Sequence, residues 1–174
     1  MISQFLGRLT AVLIFLPAVL AATPSSAQNR DLCNELSGQP AIDACLRDIR
    51  SGQFSGRSLA TRHNNLGTEY YLIRDFDRAI AEYTTAIRID PNYTSPHDGR
   101  GSSYLQKGDL DRAIADYSEA IRINPRLETA YLNRGIALER KNETARAIAD
   151  FETALRLDAN LDNARKSIER LRSR

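Results

Sequence analysis

The stretch Asp77-Arg78-Ala79-Ile80-Ala81-Glu82-Tyr83 decides the fold, because it returns twice. It recurs as Asp111-Arg112-Ala113-Ile114-Ala115-Asp116-Tyr117 and again as Ala145-Arg146-Ala147-Ile148-Ala149-Asp150-Phe151, each time 34 residues further on. The residues just beyond each copy repeat as well: Ala86-Ile87-Arg88-Ile89-Asp90-Pro91, Ala120-Ile121-Arg122-Ile123-Asn124-Pro125 and Ala154-Leu155-Arg156-Leu157-Asp158-Ala159. A period of this size means that one supersecondary unit is copied and stacked, each copy covering the apolar face of its neighbour.

Within a period the apolar spacing is helical. Ala79, Tyr83 and Ala86 stand at i, i+4 and i+7, one face of a helix. Upstream, Leu66, Gly67 and Tyr70 share a second face, as do Arg100, Gly101 and Tyr104, and then Arg134, Gly135 and Leu138. Gly67, Gly101, Gly135 and the alanines carry almost no side chain, so two helix axes can approach closely there, with Tyr83, Tyr117 and Phe151 filling the space beside each approach. Gly108-Asp109 separates the two halves of the second period, and Asp75 and Asp77 precede or open the second helix of the first. Acids in that place complement the positive end of a helix dipole. Pro91 and Pro125 end their periods because proline cannot continue a preceding helix. Each period is therefore helix, tight turn, helix, short turn.

This pattern closely resembles the tetratricopeptide repeat family. The family's small residues, aromatics and terminal proline fall on Leu66, Gly67, Tyr70, Ala79, Tyr83, Ala86 and Pro91, and in the second repeat on Gly101, Tyr104, Ala113, Tyr117, Ala120 and Pro125. The third repeat matches at Gly135, Ala147, Phe151 and Ala154. Arg100 stands where the family usually has leucine, Leu138 replaces a tyrosine and Ala159 a proline. The resemblance implies an all-α fold, an α-solenoid of three helical hairpins at 60–93, 94–127 and 128–161, together 60–161, with a C-terminal capping helix over 162–174. In that last segment Leu161, Ala164, Ile168 and Leu171 share a face, and Arg165, Lys166, Glu169 and Arg170 lie opposite, the pattern of a solvating cap.

The chain of 174 residues begins differently. Arg8 precedes an apolar run from Leu9 to Ala22, and small residues lead to Ser25-Ser26-Ala27. Fourteen residues at ~1.5 Å each fall short of a bilayer core of ~30 Å. The segment 1–27 therefore reads as a signal peptide cleaved after Ala27, with an uncleaved membrane anchor as the alternative. Lipid attachment is disfavoured because Arg30-Asp31-Leu32 precedes Cys33. Cleavage removes Arg8 and no acid, leaving 23 of the 24 basic residues against 22 acidic. Such a balance points to no nucleic acid.

Export, to the periplasm in a cell with an outer membrane, changes how Cys33 and Cys45 read. They are the only two cysteines, twelve positions apart in an N-terminal segment spanning 28–59. In an oxidising compartment that favours one disulfide, the alternative being two buried thiols. Pro40 opens a helical stretch with Ile42, Cys45, Leu46 and Ile49 on one side, ended by Ser51-Gly52.

No Ser-His-Asp order, Gly-rich phosphate loop or metalloprotease helix appears, so no catalytic residue and no cofactor is assigned. His63 and His97 occupy the same phase of adjacent repeats, a packing position, and no metal is expected. The family resemblance instead implies that the first helix of each repeat lines a concave groove, exposing its second, fifth, ninth and twelfth residues. Those positions are Thr61, Asn64, Thr68 and Tyr71, then Ser95, Asp98, Ser102 and Leu105, then Thr129, Leu132, Ile136 and Glu139. The expected role is an adaptor for a protein or peptide, not an enzyme. Groove lysines that grip acidic chaperone tails are missing from the fifth positions, Asn64, Asp98 and Leu132. The alternatives are a self-associating structural component or a redox accessory acting through Cys33 and Cys45.

Overall fold

A computed structural model describes residues 32–173; the expected signal peptide, 1–27, lies outside them. Among the described residues all regular structure is helical: α1 (Leu32–Glu35), α2 (Gln39–Ser51), α3 (Gly56–Leu72), α4 (Phe76–Ile89), α5 (Thr94–Lys107), α6 (Leu110–Ile123), α7 (Glu128–Arg140), α8 (Thr144–Leu157) and α9 (Asp162–Arg172). Helices α3–α4, α5–α6 and α7–α8 form three antiparallel hairpins, each packed on the next, so the expected all-α solenoid is what the chain builds. Helix α3 also touches α5, and α5 touches α7, which puts the first helices of the repeats side by side.

The periodic glycines are where the hairpins close. A Cβ on Gly67 would lie 2.9 Å from the Tyr83 ring, one on Gly101 2.9 Å from Tyr117, and one on Gly135 2.7 Å from Phe151. Carbon atoms pack at ~3.5–4 Å, so no side chain fits at these crossings. The aromatics that occupy the space are buried, Tyr117 and Phe151 completely.

The turn inside each hairpin repeats too. Arg74, Gly108 and Asn142, 34 residues apart, all take positive φ, at 64°, 80° and 61°. Gly108 does so without steric cost and Asn142 with little, while Arg74 carries a Cβ into the left-handed region. Asp75 and Asp109 come directly after and cap the second helices, their Oδ1 atoms accepting from the backbone N–H of Arg78 at 3.1 Å and Arg112 at 3.2 Å. The arginines also pull both carboxyls below the usual carboxylate range.

Arg100, the departure from the family leucine, has a partner. Its Nε and Nη2 donate to Asp116 at 2.8 and 2.7 Å and its Nη1 to Thr84 of the preceding repeat at 3.0 Å. Arg134 repeats the arrangement with Asp150, at 2.7 and 2.8 Å, and Ser118, at 3.0 Å. Each guanidinium thus ties three consecutive helices together. Burial pushes the Asp116 carboxyl up, but the bonds from Arg100, with His97 beside it, outweigh that and leave it below its ordinary value.

Both ends of the array are covered. Ala164, Ile168 and Leu171 of α9 pack on Leu138, Ala147 and Phe151. At the other end Cys33 and Cys45 form a disulfide joining α1 to α2, and both belong to the core with Ile42, Leu66, Tyr70 and Tyr83. Gly52 ends α2 in the left-handed conformation. The Gly38 backbone N–H donates to the buried Glu69 carboxylate at 2.6 Å, fixing this segment on α3. Closing a loop of this length is worth ~3 kcal/mol in the chain-entropy picture.

Candidate functional site

Because α3, α5 and α7 stand side by side, the residues one turn apart on α3 and α5 face a common space. A cavity of about 270 Å³ opens there, lined by Asn64, Thr68 and Tyr71 of α3, Tyr83 of α4, and Ser95, Asp98, Gly99 and Ser102 of α5, with Leu127 at its far side. Gly99 keeps it open for Tyr83, since a Cβ there would come within 2.5 Å of the tyrosine Cζ.

Two hydroxyls of its lining, those of Thr68 and Ser102, are each paired with a tyrosine. Tyr83 OH and Thr68 Oγ1 are 3.2 Å apart, and Tyr117 OH donates to Ser102 Oγ at 3.1 Å. Both pairs bridge the two helices of one repeat with the same sequence offset of fifteen. Burial pushes the Tyr83 phenol up to about 12, the Thr68 bond opposing it, and pushes Tyr117 up as well, so both remain protonated in neutral solution. Asn64 commits its Nδ2 to Asn65 at 3.3 Å, which leaves its carbonyl oxygen as an acceptor.

Asp98 is the one acid lining this cavity. Its Oδ1 is shut from water and carries no hydrogen bond. Burial raises its pKa; Asn133 of α7 opposes that with a hydrogen bond, and the charge of Glu128 adds to it.

The twelve groove positions do not form one surface. Asn64, Thr68, Tyr71, Ser95, Asp98 and Ser102 share the cavity. Leu105 does not belong to the groove: it is 6% exposed and packs with Ala113, Tyr117 and Ala137. Leu132 and Ile136 are half-buried against the C-terminal apolar cluster. Glu139 is bound by Arg170 of α9 at 2.7 Å, with 14% of its side chain exposed. The capping helix therefore claims much of the third repeat, and Ile136 and Glu139 line a separate depression between α7 and α9 with Lys166 and Arg170. Leu127, Gly99 and Asn133 were not among the sequence candidates. Leu127 and Gly99 line the cavity and Asn133 bonds Asp98, placements that depend on how one repeat is rotated against the next, which the period does not record.

The histidines pack. His63 Nδ1 is 2.7 Å from Glu82 Oε2, and His97 Nε2 is 3.2 Å from the Pro91 carbonyl oxygen. The cysteines are sealed in the core at 3% and 0% exposure, where a disulfide is out of reach of an attacking thiolate. Among the described residues no helix is long and apolar enough to cross a membrane.

Stacked hairpins with small-residue crossings, capped at both ends around an inner cavity, define a helical-repeat solenoid. The chain belongs to the tetratricopeptide repeat family: the tetratricopeptide repeat models match 60–93 and 128–161, and a further TPR repeat model matches 101–142. Among solved structures it is similar to the Arabidopsis OM64 TPR domain, with 27% identity over 66% of this chain and 94% of that one and a TM-score of 0.65. The second TPR domain of human RPAP3, solved in complex with the HSP70 peptide SGPTIEEVD, is 25% identical over 65% of this chain and 94% of that one, with a TM-score of 0.63. The first TPR of Spaghetti (RPAP3), bound to the HSP90 peptide SRMEEVD, matches in fold at 24% identity and a TM-score of 0.67, over 70% of this chain and 97% of that one. No match was found among curated protein sequences.

Proposed function

We propose that this chain is an exported adaptor that holds an extended segment of another protein in the cavity between α3 and α5. The observation that carries the reading is that cavity itself, a built recess of about 270 Å³ lined by side chains of two adjacent first helices with paired hydroxyls and an amide. Hydroxyls and amides satisfy the backbone of an extended peptide, and the recess accepts a side chain. The peptide complex of the second RPAP3 domain supports this use of the fold. The chemistry of the partner differs, however. An acidic tail such as EEVD calls for cations, whereas this cavity is lined by Asp98 and by no cation.

Export rests on the sequence from Met1 to Ala27, and the mature chain then begins at Gln28 in an oxidising compartment where Cys33–Cys45 staples α1 to α2 ahead of the first repeat. Two measurements test the proposal. Intact mass of the protein from a periplasmic extract is expected to match a chain beginning at Gln28; a full-length mass in the cytosol refutes export. Ser95 is exposed at the cavity rim, so Ser95→Trp fills the recess without entering the core. A partner co-purified with the wild type is expected to be lost with this variant, and its retention refutes the cavity as the binding site.

A further inference from the structure

We propose that the cavity between α3 and α5 selects a positively charged side chain, lysine or arginine, of the bound segment, and that Asp98 is the residue that receives it. The inference rests on the proposed peptide-binding role and adds the chemistry of the partner. Elsewhere in the array the buried acids are matched. Asp116 and Asp150 each take two bonds from an arginine, Glu69 accepts a backbone N–H, and Glu139 is paired with Arg170. Asp98 is the exception. It lines a cavity, one of its oxygens is closed off without a partner, and the groups acting on it are Asn133, which favours its charge, and Glu128, which opposes it. Among the described residues, none of those lining the cavity is a cation.

A half-desolvated carboxylate with a neighbouring acid and no cation is a poor structural device, since it destabilises the fold that carries it. It is a good recognition device, because a cation entering the cavity balances the charge of a carboxylate that no cation of the cavity lining offsets, in a place where water competes weakly. The remaining acceptor of Asn64 gives a second contact from the α3 wall of the same cavity. The raised pKa of Asp98 supports the same reading, for such a group binds a cation and releases any proton it holds. The other titratable groups facing it are Tyr71 of α3, Tyr83 of α4, Tyr117 of α6 and Glu128 of α7. Tyr83 and Tyr117 stay neutral there, so a cation is the charge the site lacks.

The test uses the full mature chain and four pools of N-acetylated seven-residue peptides, randomised at the flanks and carrying Lys, Arg, norleucine or Glu at the centre. Binding is measured by NMR shifts of the Asn64, Asp98 and Ser102 amides in wild type, Asp98→Asn and Ser95→Trp. The Lys or Arg pool is expected to bind wild type at least roughly tenfold more tightly than the norleucine and Glu pools, and Asp98→Asn to lose that preference while keeping its fold and residual binding. Equal binding of all pools, or an unchanged preference in Asp98→Asn, overturns the proposal while leaving the peptide-binding role intact if Ser95→Trp still abolishes the shifts. If no pool shifts these amides, or Ser95→Trp leaves the shifts unchanged, the cavity reading fails and the cation proposal with it. Preference for Arg over Lys, or the reverse, supports the proposal and identifies the head group.

Discussion

Gly135→Ala probes the crossing on which the whole array depends. The new methyl would lie 2.7, 2.8 and 3.1 Å from three atoms of the Phe151 ring, against ~3.5–4 Å for carbon atoms in contact. Phe151 is completely buried and packed against Leu138, Ala147 and the α9 residues Ala164 and Ile168, so the ring has nowhere to retreat. Overpacking of this depth costs up to ~3 kcal/mol, offset by ~1 kcal/mol from the better helix propensity of alanine. The net loss is ~2 kcal/mol, or ~6 °C in Tm at ~3 °C per kcal/mol. Urea unfolding of the disulfide-intact mature chain measures it directly. Phe151→Leu should remove the clash, so the double variant Gly135→Ala/Phe151→Leu is expected to be more stable than the sum of the single losses by at least ~1 kcal/mol. A neutral or stabilising Gly135→Ala, or strict additivity in the cycle, refutes the claim that the helices meet at this glycine.

Other perturbations have equally definite outcomes. Arg134→Leu strips Asp150 of both its guanidinium bonds and should cost ~3 kcal/mol by denaturant unfolding, whereas Arg134→Leu/Asp150→Leu recovers most of it. Arg74→Gly relieves the left-handed backbone at φ 64° and should raise stability by ~1 kcal/mol, with no gain from the same change elsewhere on the α3–α4 hairpin. Asp98 holds its proton more tightly when folded than when unfolded. Its contribution therefore destabilises the chain increasingly as pH rises from its ordinary 3.8 through the raised folded value. Asp98→Asn is then expected to be more stable than wild type at pH 7, with the advantage shrinking on acidification, as read from urea midpoints across pH 4–7. Asp116 works in the opposite sense, losing its stabilising contribution as pH falls, and is common to both proteins.

The hairpins were legible because their packing is local and periodic. Gly67 with Tyr83, Gly101 with Tyr117 and Gly135 with Phe151 are each sixteen residues apart, and the recurrence shows which residues meet. The ion pairs carried the same signature. Arg100 and Arg134, like Asp116 and Asp150, recur with the period, yet Arg100 reads as a mere departure from leucine until its bidentate partner is placed. The cavity was only partly legible. Its near wall, Asn64, Thr68 and Tyr71, follows from the groove positions that the family resemblance implies, but Leu105 turns toward Ala137 of the next repeat, and Glu139 is taken by a helix outside the period. Rotation between repeats and the docking of α9 decide those positions, and neither is written in any single repeat.

The central claim, that the cavity between α3 and α5 is where the partner binds, is tested most directly by site-specific photo-crosslinking in the exporting cell. Crosslinkers at Thr68 and Ser95, exposed at the cavity, are expected to capture one common partner, while crosslinkers at Ala81 and Ala115, exposed on α4 and α6, do not. Capture at Ala81 and Ala115 with none at Thr68 and Ser95 would contradict it.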